Sequence, residues 1–513
     1  MGYDKDMIRD KIEKLLEQIT GQKAHLEHPT DSRHGDYSTN LALKLKLDPK
    51  SIVEKLKDNP IFEKVSVAGP GFINLVLSKE YLQQEVKEII DQEEKYGDLD
   101  IGQGKKIQVE FISANPTGPL TVGNARGGPY GDTLANILEK VGFRVEKAYY
   151  VNDYGMQIIT LGNSVLKNDQ AEYKGKYIDD LSKKVKEKDP FKAGQLSAKM
   201  IIKNLISKTT DRLGIKYEEW IFESDLYSSG KVDKALKYLE EKDLIFEKED
   251  AKWFKSSSFG DKRDRVVVKS NEWKTYLMGD IAFHRYKFED KKFDKVINVW
   301  GADHHGDIPG LQAGVEAIGH KGKLEIILLQ FVTILEQGEK QKMSKRAGVY
   351  VEMDELIEKT SKDVVRFFFL QKSANAHLSF DMALAKEQSS KNPVYYAQYA
   401  HARMSSILRK AADKKISPSK DFKHLTTSVE LGLIRQLIKF PEIIKETARD
   451  YQVQRLPNYA LELANTFHGF YEQCKVLSDN QELASSRVGL IKATQIILRN
   501  TLGLMGIDAP SKM

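Results

Sequence analysis

The chain has 513 residues, enough for about two to four domains, and 41% of them are hydrophobic, as in a globular protein. Its net charge of +6 is small beside 80 basic and 74 acidic residues, so binding to a polyanion would have to come from local clusters of basic side chains. The single cysteine, Cys474, excludes an internal disulfide and a cysteine-based zinc site, and no run approaches the roughly 18 apolar residues of a membrane span, so we expect a cytoplasmic protein.

Residues 1 to about 85 predict a small α/β module. Apolar residues recur at helical spacing near its start and predict an amphipathic opening helix, with Ile8, Ile12, Leu15 and Leu16 on its buried face. Residues 71–77 read as an apolar strand. The charged segment 91–97 then predicts a connector to a second region.

A strand, a tight turn and the start of a helix follow the connector. Residues 107–113 read as the strand and 114–124 as a turn rich in glycine and proline. The next helix has apolar residues at i, i+3, i+4 and i+7, namely Leu134, Ile137, Leu138 and Val141. Unpaired backbone N–H groups and the helix dipole both favour an anion at such a turn, so this unit predicts a phosphate site beside a parallel sheet.

Strand and helix patterns alternate from about 104 to 385, which predicts a doubly wound parallel sheet of the Rossmann type. A polar stretch rich in lysine and glutamate, from about 165 to 265, predicts a helical insertion into that sheet. The charge run at 183–188 favours a solvated face over an RNA-facing surface.

His304 and His305 are adjacent and could suggest a metal site. Neighbouring side chains point in different directions, however, and no carboxylate or cysteine cluster offers ligand spacing, so the sequence predicts no protein-bound metal and no zinc. We interpret Gly301, Asp303 and His305 instead as a loop after a later strand, placed to contact the ribose or adenine of a nucleotide at the carboxyl edge of the sheet.

Two lysines enclose a methionine and a serine at Lys342-Met343-Ser344-Lys345. Gly338 and Gly348 on either side supply backbone freedom, so this motif could close over a triphosphate and place both ammonium groups where charge develops on phosphate oxygens. In a chain with 80 basic residues, a solvated lysine-rich turn is the alternative interpretation of this motif taken alone.

From about 390 to 513 the pattern is helical throughout and predicts an all-α bundle. Thr427 and Glu430 fit a capping box at the start of one helix, and Pro441 predicts a break or kink shortly after it. We expect Cys474 to be a buried core residue, because nothing around it in the sequence would activate a thiolate.

Taken together and in this order, these motifs resemble the class I aminoacyl-tRNA synthetases, and within them the arginyl-tRNA synthetases of the bacterial type, over essentially the whole chain. The resemblance is carried by residues 109–111, 113–120, 151–153, 275–276, 280–282, 300–306, 342–348, 392–396, 398–403 and 509–513. It implies an N-terminal tRNA-contacting domain (1–85), a class I catalytic domain (104–385, with the insertion at about 165–265) and a helical anticodon-binding domain (390–513).

The resemblance implies an arginine–tRNA ligase of the cytoplasm that uses ATP with Mg²⁺ to attach L-arginine to tRNA(Arg) through an arginyl-adenylate. A monomer without membrane contacts is the expected state. The implied ATP contacts are Pro119, Leu120, Gly123, Asn124, Gly301, Asp303, His305, Lys342, Met343 and Lys345. The implied catalytic residues are Thr121, Gly123, Asn124, Lys342, Ser344 and Lys345.

One departure from the family concerns residues 121–124. Class I synthetases usually have His-x-Gly-His there, whereas this chain has Thr121-Val122-Gly123-Asn124. Attack of an ionised carboxylate on the α-phosphorus of ATP needs no general base, and a threonine hydroxyl and an asparagine amide still donate hydrogen bonds. We therefore expect a working site that depends more heavily on Lys342 and Lys345. The alternative is a catalytically impaired, synthetase-like RNA-binding protein.

Recognition of arginine should depend on acidic residues, because a guanidinium offers five donors and must be paired when it leaves water. By resemblance, Asp280, Tyr276 and Glu110 would face the guanidinium. Each of them alone has a simpler interpretation: Glu110 as a strand-end surface acid, Tyr276 as a core residue and Asp280 as a helix cap. A class I synthetase for another amino acid is a further alternative, which the acids at 110 and 280 disfavour.

The other end of the amino acid needs different partners. By resemblance, Asn115 and His304 would hold the α-amino and carboxylate groups, with Ser113 assisting.

Aromatic, amide and basic side chains share one helix of the C-terminal region. Single-stranded anticodon bases are bound by stacking and by hydrogen bonds to base edges, so we assign tRNA binding to Tyr395, Tyr399 and Arg403. Tyr471 and the C-terminal segment 505–513, which ends at Met513, are comparable candidates, and we include Met513 in the assignment. Because Tyr395 and Tyr399 are four residues apart on a helix, core packing is the alternative for both.

Overall fold

The computed structural model describes residues 7–336, 339–340 and 351–513. Its N-terminal part is a three-stranded antiparallel sheet, in the order β1-β3-β2, with four helices. The elements are α1 (Ile8–Thr20), β1 (Tyr37–Thr39), α2 (Leu41–Leu45), α3 (Pro49–Leu56), β2 (Phe62–Ala68), β3 (Phe72–Leu77) and α4 (Lys79–Gln92). Ile8, Ile12 and Leu16 are buried, which confirms the predicted amphipathic opening helix.

A five-stranded parallel sheet forms the centre of the catalytic region and confirms the predicted doubly wound class. In spatial order its strands are β11 (Leu324–Leu329), β10 (Lys295–Gly301), β4 (Lys106–Phe111), β5 (Arg144–Val151) and β6 (Glu219–Phe222). Strands β5 and β6 are added in turn on one side of β4, and β10 and β11 are added later on its other side, so the strand order reverses at β4. In such sheets ligands bind at the carboxyl ends of the strands, beside the point where the order reverses.

Two helices connect β4 to β5: the short α5 (Val122–Ala125) and α6 (Gly127–Lys140). A Cβ on Gly131 would lie 2.2 Å from Cγ of Phe111, so only glycine allows α6 to approach β4 this closely. Pro129 lies in the first turn of α6, where its missing N–H costs no helical hydrogen bond. This tight packing fixes the turn between β4 and α6 at the carboxyl edge of the sheet.

The predicted helical insertion at 165–265 is wrong in its second part. The first part is helical, with α7 (Met156–Leu166), α8 (Lys176–Lys184), α9 (Pro190–Ile201), a π-helical segment (Ile202–Ile206) and α10 (Ser207–Arg212). The chain then returns to the main sheet as β6 and continues as α11 (Glu223–Ser228), α12 (Lys231–Glu241), β7 (Ile245–Lys248), β8 (Ala251–Phe254) and β9 (Arg265–Val268). Strands β7, β8 and β9 form an antiparallel sheet in that order. Strands β6 to β9 have four residues each, too few to establish an alternating pattern in the sequence.

The remainder of the catalytic region places helices around the main sheet and adds a small second sheet. The helices are α13 (Tyr276–Arg285), α14 (Ile308–Ala317), α15 (Met353–Lys359), α16 (Lys362–Leu370) and α17 (Met382–Lys386). A π-helical segment, Tyr286–Asp290, continues α13. The small sheet has the order β13-β12-β14, with β12 (Val332–Glu336), β13 (Glu339–Lys340) and β14 (Leu378–Asp381).

The C-terminal region is a bundle of five helices among the described residues, as predicted. They are α18 (Pro393–Asp413), α19 (Ser428–Ile438), α20 (Phe440–Asp450), α21 (Arg455–Gln473) and α22 (Gln481–Leu504). Thr427 and Glu430 form the predicted capping box, and Pro441 lies in the first turn of α20, directly after the predicted break. Cys474 is buried, as expected.

Arg366, on α16, is fully buried and joins three parts of the molecule. Its Nη2 donates to Oδ2 of Asp132 on α6 at 2.5 Å, its Nε to the carbonyl of Met505 at 2.5 Å, and its Nη1 to the carbonyl of Leu213 at 2.9 Å. Met505 follows α22, and Leu213 follows α10. Helix α6, the end of the helical part of the insertion and the C-terminal bundle therefore all accept hydrogen bonds from one guanidinium.

Glu442, on α20, joins the N-terminal module to the same bundle. The carboxylate is buried and accepts a hydrogen bond from the Tyr37 hydroxyl at 2.5 Å. His28 Nε2 lies 2.9 Å from it and Arg9 NH1 3.3 Å from it. Burial would raise the pKa of Glu442, but His28, Tyr37 and Arg9 hold this pKa below its ordinary value.

Among the described residues, no helix is both long enough and apolar enough to cross a lipid bilayer.

Candidate active site

The turn between β4 and α6 presents a hydrogen-bonded pair and an open backbone. Thr121 caps α5: its oxygen accepts from the backbone N–H of Asn124 at 3.4 Å, and its hydroxyl donates to Oδ1 of Asn124 at 2.6 Å. The amide nitrogen of Asn124 is therefore the donor that this pair offers to a ligand. Gly123 is exposed, and a Cβ there would meet no atom within 4 Å. A nucleotide can thus approach the backbone at this position.

The segment that carries the lysine motif is anchored beside this turn. Val122 N–H donates to the carbonyl of Val351 at 3.1 Å, and Met353 N–H donates to the carbonyl of Leu120 at 2.9 Å. At the other end of the segment, β13 pairs with β12, which packs against α5. The Leu120 side chain is buried and Pro119 is half-buried. The motif residues themselves lie outside the described part of the chain: Lys342, Met343, Ser344 and Lys345.

The loop after β10 faces the same edge of the sheet, because β10 is the parallel neighbour of β4. Gly301 ends β10, and Asp303, His304 and His305 follow in one exposed 3₁₀ turn. His304 Nδ1 lies 3.4 Å from Oδ2 of Asp307. Across the ranges 7–336, 339–340 and 351–513, no group of three or more His, Cys, Asp or Glu side chains is arranged to hold a metal ion.

Glu110, near the carboxyl end of β4, is buried rather than a surface acid. Both of its oxygens have partners: Oε2 accepts from Nζ of Lys287 at 2.5 Å, and Oε1 accepts from the hydroxyl of Ser113 at 3.1 Å. Burial lowers the pKa of the Lys287 ammonium, and the Glu110 carboxylate opposes that shift. The structure therefore brings together Glu110 and Ser113, and adds a buried cation that sequence reasoning missed.

The backbone after β4 is strained. Ile112 has a φ of 67° and Ser113 a φ of 41°, although positive φ is uncommon outside glycine and exceptional for a β-branched residue. This turn brings Oγ of Ser113 to Glu110 and lets it accept from the backbone N–H of Tyr150 at 3.1 Å. Asn115, two residues further on, is exposed. Strain of this kind is retained where a site requires a particular geometry.

Tyr276 and Asp280 lie one turn apart on α13. Tyr276 is 59% exposed, so it is not a core residue, and Asp280 lies inside the helix rather than at its cap. Burial and the charges of Glu110 and Asp307 raise the pKa of Asp280 to about 7, against the opposing charge of Lys287. Asp280 therefore lies within electrostatic range of Glu110.

Two further carboxylates complete a group that we call the acid cluster: Glu110, Asp153, Glu223 and Asp280. Oε1 of Glu223 lies 3.2 Å from the place that a Cβ on Gly279 would take, next to Asp280. Burial and the charges of Asp280 and Asp153 raise the pKa of Glu223 to about 8. Asp153 is buried and accepts from the backbone and the hydroxyl of Ser224 at 2.8 and 2.6 Å.

The acid cluster follows from the order of the strands. Glu110 lies near the end of β4, Asp153 follows β5 and Glu223 follows β6, and these three strands are neighbours in the sheet. Sequence reasoning missed Glu223 because it missed β6. A carboxylate directly after a short apolar run, Trp220-Ile221-Phe222, is the signal that could have indicated it. The cluster can bind a cation with several donors, because a positive charge between them would favour the ionised forms of Asp280 and Glu223.

On the C-terminal bundle, aromatic rings and a guanidinium form a partly exposed surface. The rings of Tyr395 and Tyr399 are 6.4 Å apart with 8° between their planes. Arg403 donates to the Tyr399 hydroxyl at 2.8 Å, and its guanidinium lies 4.5 Å from the ring centre of Tyr471. His468, which sequence reasoning missed, lies 6.1 Å from the ring of Tyr399. Such a surface suits the stacking of unpaired bases.

Met513 is 54% exposed. The chain before it lies along α18, where Nδ1 of His401 is 2.9 Å from the carbonyl of Pro510 and Arg409 donates to the carbonyl of Ser511 at 3.1 Å. The last residue is thus held near the helix that carries Tyr395 and Tyr399.

Three family models match the chain. Residues 5–77 match the arginyl tRNA synthetase N terminal domain, residues 85–193 and 183–406 match the catalytic domain of class I tRNA synthetases (R), and residues 397–513 match the DALR anticodon binding domain.

Curated proteins and solved structures agree with these matches. The arginine--tRNA ligase of Bacillus subtilis is 41% identical over 550 residues, covering 99% of this chain and 99% of its own. That of Bacillus cereus is 42% identical over 523 residues, covering 95% and 94%. The solved arginyl-tRNA synthetase of Thermus thermophilus shares the fold, with a TM-score of 0.79 at 22% identity over 99% of this chain and 100% of its own.

Proposed function

The chain belongs to the class I arginyl-tRNA synthetases, and from this membership we propose how its residues carry out the ATP-dependent attachment of L-arginine to tRNA. The observation that carries the proposal is the acid cluster at the ends of three neighbouring strands, beside a turn that is open to a nucleotide. No finding favours a catalytically impaired protein, and the curated relatives reported above are arginine--tRNA ligases.

ATP binds along the turn after β4. Gly123 lets the phosphates approach the backbone, and the amide of Asn124, oriented by Thr121, donates to a phosphate oxygen. Pro119 and Leu120 shape the turn. Across the strand-order reversal, Gly301, Asp303 and His305 contact the ribose or adenine.

The lysine motif supplies the positive charge that Thr121 and Asn124 lack. Its segment leaves and re-enters the described chain next to α5, so Lys342, Ser344 and Lys345 can reach the phosphates, with Met343 against the nucleotide. The two ammonium groups would stabilise the charge that develops on the phosphate oxygens as pyrophosphate leaves.

Arginine binds with its guanidinium in the acid cluster. Asp280 is the carboxylate that balances its charge, Glu110 and Ser113 form the closed end, and the Tyr276 hydroxyl lies at the open end. His304 and Asn115, both exposed, hold the α-carboxylate and α-amino groups. This arrangement directs the carboxylate of arginine toward the α-phosphorus of ATP.

The chemistry proceeds in two steps. An oxygen of the arginine carboxylate forms a bond to the α-phosphorus while the bond to pyrophosphate breaks, which gives arginyl-adenylate. A hydroxyl of the terminal adenosine of the tRNA then attacks the acyl carbon, loses its proton, and AMP leaves. Neither step needs a protein nucleophile, so the site contributes positioning and charge stabilisation.

The C-terminal bundle holds the tRNA at a distance from this chemistry. Tyr395 and Tyr399 stack on unpaired bases of the anticodon, Arg403 contacts phosphate or a base edge, and the exposed Met513 adds a contact from the end of the chain, which lies along the same helix. Mg²⁺ enters with ATP and is held mainly by phosphate oxygens.

We place the reaction in the cytoplasm and expect a monomer. Sedimentation of the purified protein would test the oligomeric state.

Replacing Asp280 with asparagine tests the arginine pocket. Asp280→Asn keeps the shape of the side chain and removes its charge, so the KM for arginine should rise about 100-fold, equivalent to roughly 3 kcal/mol. The KM for ATP should stay within about twofold in the same tRNA-charging assay. Asp290→Asn, an exposed acid at the end of the same helical run, is the matched control. An unchanged KM for arginine in Asp280→Asn would show that the pocket lies elsewhere.

A further inference from the structure

Lys287 is a buried cation next to Glu110, at the closed end of the pocket that we propose for the arginine guanidinium. The Lys287 side chain is fully buried, with Nζ 2.5 Å from Oε2 of Glu110 and 3.3 Å from Oδ1 of Asn298. The ring of Phe283 lies 4.1 Å from the same nitrogen. Desolvating a lysine is costly, so its presence here needs a reason beyond filling space.

The partners of Lys287 extend to the backbone of Asp280. The amide of Asn298, whose oxygen faces Lys287, has its nitrogen 3.0 Å from Nε2 of His284. Nδ1 of His284 lies 2.8 Å from the carbonyl oxygen of Asp280. Burial and the charge of Lys287 hold the pKa of His284 well below its ordinary value, so the ring is neutral and carries its proton on Nδ1. A continuous hydrogen-bonded chain thus connects Lys287 to the helix turn that presents Asp280.

Lys287 also fixes the position and balances the charge of the Glu110 carboxylate. With Oε2 paired to Lys287 and Oε1 to Ser113, the Glu110 carboxylate is held in one place and its charge is balanced before arginine arrives. The other three carboxylates of the acid cluster, Asp153, Glu223 and Asp280, have no lysine at hydrogen-bond distance in the described structure, and Asp153 is instead bonded to Ser224.

We propose that Lys287 is a positioning residue for arginine recognition: by pairing with Glu110 it fixes the closed end of the pocket and leaves Asp280 to neutralise the guanidinium. The inference rests on the proposed arginine pocket and assigns it a residue that never contacts the substrate. Without Lys287, the unbalanced charge of Glu110 would favour protonation of Asp280 and Glu223, and a protonated carboxyl cannot balance a guanidinium.

The proposal makes a prediction opposite to that of simple charge counting. Removing a positive charge from a cation-binding pocket should tighten arginine binding if only the net charge mattered. If Lys287 positions Glu110, Lys287→Met should weaken it, with the KM for arginine rising at least about tenfold and the KM for ATP staying within about twofold. Lys287→Arg, which keeps a buried cation, should restore the KM for arginine to within about threefold.

Lys291→Met is the matched control. Lys291 caps the end of the same helical segment, four residues after Lys287, and pairs with Glu219 at 2.8 Å, outside the acid cluster. Its replacement should leave both KM values within about twofold. An arginine KM that is unchanged or lower in Lys287→Met would overturn the proposal, as would equal rises in both KM values without recovery in Lys287→Arg.

A double variant keeps the test decisive if Lys287→Met does not fold. Glu110→Gln with Lys287→Met removes both buried charges, and its KM for arginine should equal that of Glu110→Gln alone within about twofold, because Lys287 acts through Glu110. A large further rise in the double variant would show an independent role and refute the proposal. Asp280→Asn, measured alongside, separates the two claims: if it raises the arginine KM and Lys287→Met does not, the pocket stands and only the role of Lys287 fails.

Discussion

Thr121 and Asn124 occupy the positions where class I synthetases usually have histidines, and the structure shows them bonded to each other. The threonine hydroxyl donates to the asparagine oxygen, so the two side chains act as one unit whose outward donor is an amide nitrogen. An amide is neutral at every pH. In the proposed site, charge stabilisation in the first step would therefore come from the lysine motif, the turn's backbone N–H groups and the Mg²⁺ that accompanies ATP.

Gly123 offers a direct test of how closely ATP approaches this turn. Because a Cβ there meets no protein atom within 4 Å, Gly123→Ala should leave the fold intact, and the unfolding temperature should stay the same or rise slightly. The added methyl group would occupy the space that we assign to phosphate, so the KM for ATP should rise about tenfold or more. Steady-state charging kinetics and a thermal melt measure both effects.

Gly503→Ala is the matched control, since Gly503 is also helical, exposed and free of atoms within 4 Å. Its KM for ATP should not change, and its unfolding temperature should likewise stay the same or rise slightly. An ATP KM in Gly123→Ala equal to that of the unaltered chain would mean that phosphate does not contact this turn.

The raised pKa values of Asp280 and Glu223, about 7 and about 8, predict that arginine binding depends on pH. Both groups hold protons below these values, and a guanidinium favours their ionised forms, so binding releases protons. The KM for arginine should therefore rise as the pH falls through this window, by about tenfold per pH unit for each proton released. Charging assays across this range, at saturating ATP, measure the slope.

The KM for ATP is the internal control, because the acid cluster does not face the phosphates in the proposed site. In Asp280→Asn the step near pH 7 should disappear, and the Glu223 step should move to a pH below 8, because the charge of Asp280 no longer raises the pKa of Glu223. A KM for arginine that is constant with pH would contradict the proposed proton release.

At the scale of elements, the sequence was informative where a pattern was long and local. The opening helix, the apolar face of α6, the capping box at Thr427 and the break at Pro441 each depend on residues within a few turns of one another. Strands β6 to β9 were missed because four residues do not establish a period. The missed strand also hid part of the site, since Glu223 is recognisable as the residue that directly follows β6.

Lys287 was not predicted as a site residue for a different reason. Its partner Glu110 is 177 residues away in the chain, and a lysine in a polar segment normally lies in water. A local signal was nevertheless present: Asp280, His284 and Lys287 follow at i, i+4 and i+7, the spacing of one helix face. An acid, a histidine and a lysine on one face of a helix that also carries a predicted site residue indicate a buried polar network.

At the scale of the whole molecule, Glu442 controls how the N-terminal module is held. Glu442→Ala would leave Tyr37 and Arg9 without their shared buried acceptor, which should lower the free energy of unfolding by roughly 3–5 kcal/mol and expose β1 to hydrogen exchange. Because the folded pKa of Glu442 lies below its ordinary value of 4.5, this contribution is complete above that pH and is lost as the pH falls through the folded value. Hydrogen exchange of β1 across an acid titration measures both effects.

Glu446→Ala is the control for this prediction. Glu446 is on the same helix and pairs with the same Arg9 at 2.9 Å, but it is 34% exposed, so its removal should cost about 1 kcal/mol or less. Equal protection of β1 in the Glu442 and Glu446 variants would show that the buried carboxylate does not hold the two parts together.

The shared guanidinium of Arg366 limits how far this enzyme can be treated as a set of interchangeable modules. A fragment truncated before α18 would lose the carbonyl of Met505. The Arg366 guanidinium would then lie at a newly exposed surface, still bound to Asp132 of α6. A chimaera that joins a foreign C-terminal bundle to this catalytic domain would need to place a backbone carbonyl at the end of α22 within hydrogen-bond distance of Nε of Arg366. Recombination between relatives should therefore succeed only where crossover points keep α6, α16 and the last turn of α22 from the same parent.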